Sequence, residues 1–376
     1  MRSRTFYLLF AVINFSIICF VLLIPSSSKP TTDSSAGKQV HILIISSWRS
    51  GSSFLGSIFN NHPEVFYTFE PGHPVWMKLL YESAELLHYP VRDLIHSLFK
   101  CDVSPLYSYL QQGGKQLSEF MFFYESRALC MHPTCQSSNT SASYNRLHCF
   151  NTCGGKSLVT IEETCRNHSH IAMKTVRIFD LKVLIPLLQD PKLDLRIIHL
   201  VRDPRAVSSS RKYFDLSIDD KIVCRDALSN GKQNNKTPNI TEIMGTICKS
   251  QVAIHKVGRD VKYFLPENYM LVRHEDLALD PLSNVNKLYS FSGLGMIPEL
   301  KHWVYNVTHK DSSSEPDGLM SYSRQSLKVT QNWKRKLNFK IIKEIQEVCR
   351  EAMELFEYQP LESESDLRKS IGWEWN

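Results

Sequence analysis

Two hydroxyl-rich segments of this chain carry residue types that hold anions, and each follows an apolar run. The first is Ser46-Ser47-Trp48-Arg49-Ser50-Gly51-Ser52-Ser53-Phe54, directly after Val40-His41-Ile42-Leu43-Ile44-Ile45. The second lies about 150 residues further on: Val201-Arg202-Asp203-Pro204-Arg205-Ala206-Val207-Ser208-Ser209-Ser210-Arg211, after Arg196-Ile197-Ile198-His199-Leu200. Each reads as a buried strand entering a turn that opens a helix. A helix N-terminus offers unpaired N–H groups and the positive end of its dipole, which suits a phosphate. Two such loops, each with an arginine, predict a ligand with two separate anionic groups. A nucleotide-kinase phosphate loop does not fit the first. Gly51 and Gly56 have the right separation, but Ser57-Ile58 stands where Lys-Ser/Thr is required. Arg49 instead precedes the glycine, where a guanidinium can clamp an anion bidentately. In the second loop Arg202 ends the strand and Ser210 lies two helical turns into the helix that the loop opens; Arg202-Asp203 also reads as a local ion pair.

Together the loops resemble the signatures of sulfotransferases that use 3'-phosphoadenylyl sulfate (PAPS). That resemblance implies that the first loop holds the 5'-phosphosulfate and the second the 3'-phosphate, with Arg202 and Ser210 converging on the latter. The wording Ser-Trp-Arg-Ser-Gly-Ser-Ser-Phe, with arginine where cytosolic members carry lysine, is similar to the Golgi carbohydrate 6-O-sulfotransferases. Within them, His62-Pro63-Glu64-Val65-Phe66-Tyr67 with Glu70-Pro71, Leu271-Val272-Arg273-His274-Glu275-Asp276-Leu277 and Asn332-Trp333-Lys334-Arg335-Lys336-Leu337 resemble the N-acetylglucosamine 6-O-sulfotransferases. The likeness runs from about Val40 to about Glu357. It implies sulfate transfer from PAPS to the 6-hydroxyl of N-acetylglucosamine in mucin-type O-glycans, keratan sulfate or selectin-ligand glycans. A galactose or N-acetylgalactosamine 6-O-sulfotransferase, or an inactive glycan-binding relative, are the alternatives.

Sulfuryl transfer needs a base for the sugar hydroxyl, positive charge on the transferring group, and alignment; no metal is required where side chains supply the charge. Arg49 and the N–H groups of Ser50 to Ser53 form the expected clamp. Glu70, 21 residues after Arg49, is the expected base, and burial against Trp76, Phe69 and Tyr67 is expected to raise its pKa. His73 is the alternative base, and a surface glutamate in a Glu-Pro turn the inert reading of Glu70. Lys174 resembles a lysine that related enzymes place beside the transferring group, with Arg177 assisting. Arg273 and Glu275 read as an internal ion pair, and Trp333 as core or as cover for the ligand groove.

The elements that must position these groups alternate. Strands are predicted over 40–46, 171–174, 196–201 and 270–273, with helical patterns over 53–61, 180–188, 204–213 and 341–356. The fold class is therefore α/β, a doubly wound and mainly parallel sheet with P-loop-like PAPS-binding loops at the carboxyl ends of its strands. One domain, residues 39–376, carries a cysteine-stapled insertion over 101–165, and 215–238 reads as a polar excursion.

Residues 6–24 run for 19 positions without a charged side chain, long enough to span a bilayer. Arg2 and Arg4 precede them, which favours a cytoplasmic tail (1–5), a signal anchor (6–24), a luminal stem (25–38) and a single-pass type II protein of the Golgi membrane. A cleaved signal peptide ending near Ser26 or Ser28 is the competing reading. Nine of the ten cysteines fall in the luminal part, where they read as disulfides; the odd one is free or links a homodimer. His132 and His148 lie among them, but paired Cys-x-x-Cys spacing is lacking, so no metal is expected. Sequons occur at Asn139, Asn167, Asn239 and Asn306, and at Asn235 with Pro238 just beyond. The net charge of +6 is spread rather than blocked, which suits an anionic donor and argues against nucleic acid or a highly sulfated polymer as partner. A neutral or sparsely charged acceptor glycan is expected.

Overall fold

The computed structural model describes residues 38–110, 115–120, 122–135, 144–228, 237–309 and 326–372. Five strands, β1 (Val40–Ser46), β2 (Val65–Phe69), β3 (His170–Thr175), β4 (Asp194–Val201) and β5 (Tyr269–Arg273), form one sheet in the order β2-β3-β1-β4-β5. Every pairing is parallel. All carboxyl ends therefore emerge along one edge.

β1 lies at the centre and is buried on both faces, so its apolar run shows no alternation. Leu43 and Ile45 join Ile171, Met173, Leu195 and Ile197 in a cluster shared with helices Ala84–Phe99 and Ile240–Phe264. Ile42 and Ile44 join Ala172, Ile198 and Leu200 in a second cluster, shared with helices Ser52–Asn60 and Pro281–Ser292. Each such buried aliphatic side chain contributes about 1.5–3 kcal/mol, so the central strand holds both helical layers to the sheet.

All four predicted strands are present, but β2 is not among them. Its residues Val65-Phe66-Tyr67-Thr68-Phe69 are all buried, because the insertion, through helix Arg127–Cys130, covers this edge strand. A strand without an exposed face has no period-2 signal; the run of β-branched and aromatic residues was the available cue. The reading of 215–238 as a polar excursion is corrected in part. Ser217–Leu228 is a helix that buries Ile222, Val223 and Cys224. It looks polar because Asp219 and Asp220 stand in its first turn, and both pair with buried arginines of other segments, Arg177 and Arg211.

The insertion is closed at its own two ends by Cys101–Cys165 and stapled inside by Cys130–Cys149 and Cys135–Cys153. Cys248–Cys349 ties the long helix Ile240–Phe264 to the end of helix Phe339–Val348. The odd cysteine is Cys224, buried, with its thiol pushed up by burial to about 11. It is thus poorly placed to link a homodimer, which would require the helix to open.

The expected tail, anchor and most of the stem lie outside the described residues, as do Asn139 and Asn235. Among the described residues no helix is long and apolar enough to cross a membrane. Asn167, Asn239 and Asn306 are exposed, and the Asn239 side chain caps Ile240–Phe264 within a capping box with Glu242.

Alkylation of the denatured, unreduced protein is expected to mark Cys224 alone among the nine cysteines from Cys101 to Cys349, as read by peptide mass mapping. Replacing both Cys248 and Cys349 by serine opens a link spanning 101 residues and is expected to cost about 2–5 kcal/mol in denaturant unfolding.

Candidate active site

Across the sheet from β2 to β5, the carboxyl ends deliver Glu70, then Lys174 with Arg177, the 46–54 loop, the Arg202 loop, and His274. Glu70 directly follows β2 and is 5% exposed. Lys174 Nζ donates to its Oε1 and Arg177 Nη1 to its Oε2. The Val176 amide reaches Oε2 at 3.5 Å, and the Glu70 amide donates to the Lys174 carbonyl at 2.9 Å. Lys174 and Arg177 are each 3% exposed. Removing any one of these charges from water costs several kcal/mol, so each is tolerated only because the others neutralise it.

The expectation of a raised Glu70 pKa is overturned. Burial does push the carboxyl up, but Lys174 and Arg177 together outweigh it and hold Glu70 below the usual carboxylate range. The aromatic neighbours sit on the cations instead. The Phe69 ring lies 3.9 Å from Lys174 Nζ, and Trp76 and Trp48 lie 5.4 and 5.5 Å from the Arg177 guanidinium. His73 fares no better as a base, because burial and Arg177 push its imidazole down to about 4.

In the first loop, Ser47 and Ser50 join their hydroxyls at 2.7 Å. Gly51, at φ +92°, opens helix Ser52–Asn60, which no side chain caps. The first-turn amides at Ser52 and Ser53 are therefore free of a competing side-chain acceptor, as an anion requires. The Trp48 side chain does not face an anion; it is buried against Trp76 and Phe179, with ring centroids 5.6 and 5.7 Å away. It links the loop to the Glu70 cluster.

The second loop works differently from the expectation of an open helix N-terminus. The Asp203 side chain caps helix Pro204–Arg211, accepting from the Arg205 amide at 2.9 Å. Nor is Arg202 the ion-pair partner of Asp203. That role falls to Arg205 at 2.8 Å, which also reaches Gln346 and lies 4.3 Å over the Trp333 ring. Trp333 is core, and Pro204, Ala206, Val207 and Ser209 are buried with it. Ser208 is buried too, and its hydroxyl has no partner among the described residues. What the loop offers an anion is Arg202 and Ser210, and both meet the first loop. Arg49 Nε donates to Ser210 Oγ at 3.1 Å, and Arg202 Nη1 donates to the Arg49 carbonyl at 2.9 Å. The Arg49 guanidinium also lies 3.5 Å from the Phe214 ring.

Two groups here were not anticipated. His274, just after β5, is buried with neither ring nitrogen paired among the described residues, and a Cβ on Gly51 would come within 2.4 Å of its Nδ1. Burial and the nearby Arg202 hold it neutral. Its orphaned nitrogens, beside an uncapped helix and two arginines, fit a bound nucleotide. Glu275 does not pair with Arg273. It accepts from the Asp203 amide at 3.1 Å and from the Tyr358 hydroxyl at 2.8 Å, bracing the second loop, while Arg273 turns to Asp276 and Glu357. Phe122 brings the insertion to the site, its ring 5.1 Å from Phe69 and 5.5 Å from His73. Arg49, Glu70 and Phe122 have φ of 70°, 50° and 67°. Such left-handed conformations cost a non-glycine residue roughly 1–2 kcal/mol each, and three of the five non-glycine residues with positive φ among the described residues gather at this edge.

The sulfotransferase domain family matches residues 39–357 of this chain. The chain belongs to the sulfotransferase family. Within it, human carbohydrate sulfotransferase 6 is 40% identical over 372 residues, covering 97% of this chain and 89% of its own length. Mouse carbohydrate sulfotransferase 4 is 38% identical over 331 residues, covering 88% and 84%. Human carbohydrate sulfotransferase 2 is 31% identical over 371 residues, covering 92% and 70%.

Gly51→Ala places a methyl group against His274 at a left-handed backbone position. It is expected to destabilise the protein by about 1–3 kcal/mol and to abolish nucleotide binding, as measured by denaturation and by calorimetric titration with adenosine 3',5'-bisphosphate (PAP).

Proposed function

We propose that this protein transfers sulfate from PAPS to the 6-hydroxyl of N-acetylglucosamine in glycans. The observation that carries the reaction class is the arrangement along the sheet edge: a carboxylate, Glu70, at one end, and two loops with arginines and an uncapped helix at the centre. The acceptor is supported by the kinship to carbohydrate sulfotransferases and by the motifs shared with the N-acetylglucosamine branch. When bound, PAPS supplies the activated sulfuryl group.

The first loop, through Arg49 and the amides of Ser50, Gly51, Ser52 and Ser53, grips the phosphosulfate. Arg202 and Ser210 hold the 3'-phosphate, and His274 lies against the nucleotide. Glu70 takes the proton of the acceptor hydroxyl as oxygen attacks sulfur. Lys174, freed as Glu70 becomes neutral, offers its charge to the transferring group. A carboxylate held ionised by two cations is a weak base but is always in the correct protonation state at neutral pH. Charge development on the sulfuryl side, drawing Lys174 away, strengthens it during the transfer. Placement in the Golgi lumen as a type II membrane protein is supported by four disulfides, which need an oxidising compartment, and by the charge pattern around residues 6–24.

The test offers the purified protein labelled PAPS and acceptors ending in N-acetylglucosamine, galactose or N-acetylgalactosamine, and maps the product sulfate. Label at the 6-position of N-acetylglucosamine is expected; label on another sugar overturns the acceptor, and no transfer with PAPS bound favours a binding protein. Glu70→Gln is expected to lower kcat by about 10²–10⁴-fold while leaving the PAP dissociation constant within a few-fold of the parent. Undiminished transfer by that variant would move the base elsewhere.

A further inference from the structure

The cationic bridge beside Glu70 has a second anion that takes no part in the transfer step itself. Arg177 donates through Nη1 to Glu70 and through Nη2 to Asp219 Oδ1, the latter at 3.3 Å. Its side chain is 4% exposed and that of Asp219 15%. Lys174, Glu70, Arg177 and Asp219 thus form a line of alternating charge that sums to zero. Whenever Glu70 is neutral, the buried Arg177 guanidinium must find another counter-charge or go without, at several kcal/mol.

We propose that Asp219 is a positioning residue for the transfer: it holds Arg177 between two carboxylates, so that Glu70 can accept the acceptor's proton without stranding a buried guanidinium. The inference rests on Glu70 as the base. In that step the acceptor oxygen forms its bond to sulfur and the bond from sulfur to the donor phosphate oxygen breaks. The electron pair leaves on that phosphate, and the proton moves from the hydroxyl to Glu70.

The groups facing this line are few. Glu70 is faced by Lys174, Arg177, His73 and Asp219, and Lys174 is faced in addition by the buried Glu125 of the insertion, which itself pairs with Arg146. Asp219 is faced by Arg177, Glu70, Asp220 and Arg211. The two carboxyls are driven apart, Glu70 down by its two cations and Asp219 up by burial with Glu70 and Asp220 as like-charged neighbours. Protonation of Glu70 removes one of those like charges, so Asp219 stays ionised against Arg177 when it is needed. Asp220 supplies an internal comparison. It stands next to Asp219 on the same helix and also pairs with a buried arginine, Arg211, but that pair does not touch Glu70.

The experiment is the pH profile of kcat, with PAPS and an N-acetylglucosamine-terminated acceptor, for the full-length protein and for Asp219→Asn, Asp219→Glu, Asp220→Asn and Glu70→Gln, with PAP binding as the check of folding. Loss of the Asp219 charge leaves Arg177 to Glu70 alone. Glu70 then ionises at lower pH and is a weaker base. Asp219→Asn is therefore expected to move the acid limb to lower pH and to lower the plateau by about 10-fold, with PAP affinity unchanged. Asp219→Glu restores the parent profile, and Asp220→Asn keeps the parent limb. Asp219→Ser, uncharged and smaller, is read the same way should the asparagine variant lose PAP binding. An acid limb and plateau unchanged in Asp219→Asn or Asp219→Ser, or an equal shift in Asp220→Asn, overturns the inference while Glu70→Gln remains inactive. Full transfer by Glu70→Gln overturns the base assignment and the inference with it.

Discussion

Glu70, Lys174 and Arg177 are all buried and all ionic, and that combination constrains the structure around them. An isolated charge in such a place is costly enough to unfold a domain of ordinary stability. The cluster therefore exists only if β2 and β3 lie side by side in parallel, so that the residue after one strand meets the penultimate residue of the other. β2 is an edge strand, and its outer side has to be covered. The insertion does this, tied at its own ends by Cys101–Cys165, and it brings Phe122 to the Phe69 and His73 rings. The helix Ser217–Leu228 closes the other side by giving Arg177 its second carboxylate. Disulfides, edge protection and charge balance thus converge on the acidic end of the ligand edge.

The end of the edge that carries the two loops is organised by a different constraint, close approach of backbone. Gly51 has no Cβ because His274 occupies that space, and Arg49 and Arg202 hold the two loops together through a side chain and a carbonyl. The two loops differ in how their helices begin. The first is uncapped, so its amides remain for a ligand. The second is capped by Asp203, itself held by Arg205 and Glu275. What it can offer an anion is side chains, and it is braced by the C-terminal helices that Arg205 touches.

Much of this was legible beforehand where a signal is local. Apolar runs marked β1, β3, β4 and β5, and the Ser/Gly/Arg composition marked the first loop. Arg49, Glu70, Lys174, Arg202 and Ser210 all lie on the predicted edge. Other features depended on partners distant in the chain. β2 has no alternation because both faces are covered. The first turn of Ser217–Leu228 reads as solvated because its acids pair with arginines 42 and 9 residues away. The neighbours that decide the Glu70 pKa are 104 and 107 residues off, and they reverse the expected direction.

By itself the sequence determined what depends on composition and short-range order: an α/β chain, two hydroxyl-rich loops that each follow a strand, a cysteine-rich insertion and the residue types for sulfuryl transfer. Hydrophobic periodicity and turn chemistry act over a few residues, so they can be read without knowing the fold. Only the tertiary structure decided which charges meet. It showed that Arg205 rather than Arg202 pairs with Asp203, that Glu275 braces the second loop instead of pairing with Arg273, that Cys224 is the buried odd thiol, and that Asp219 shares Arg177 with Glu70. Electrostatic pairing in a buried site depends on distances between segments brought together by the sheet order. No local pattern encodes those distances.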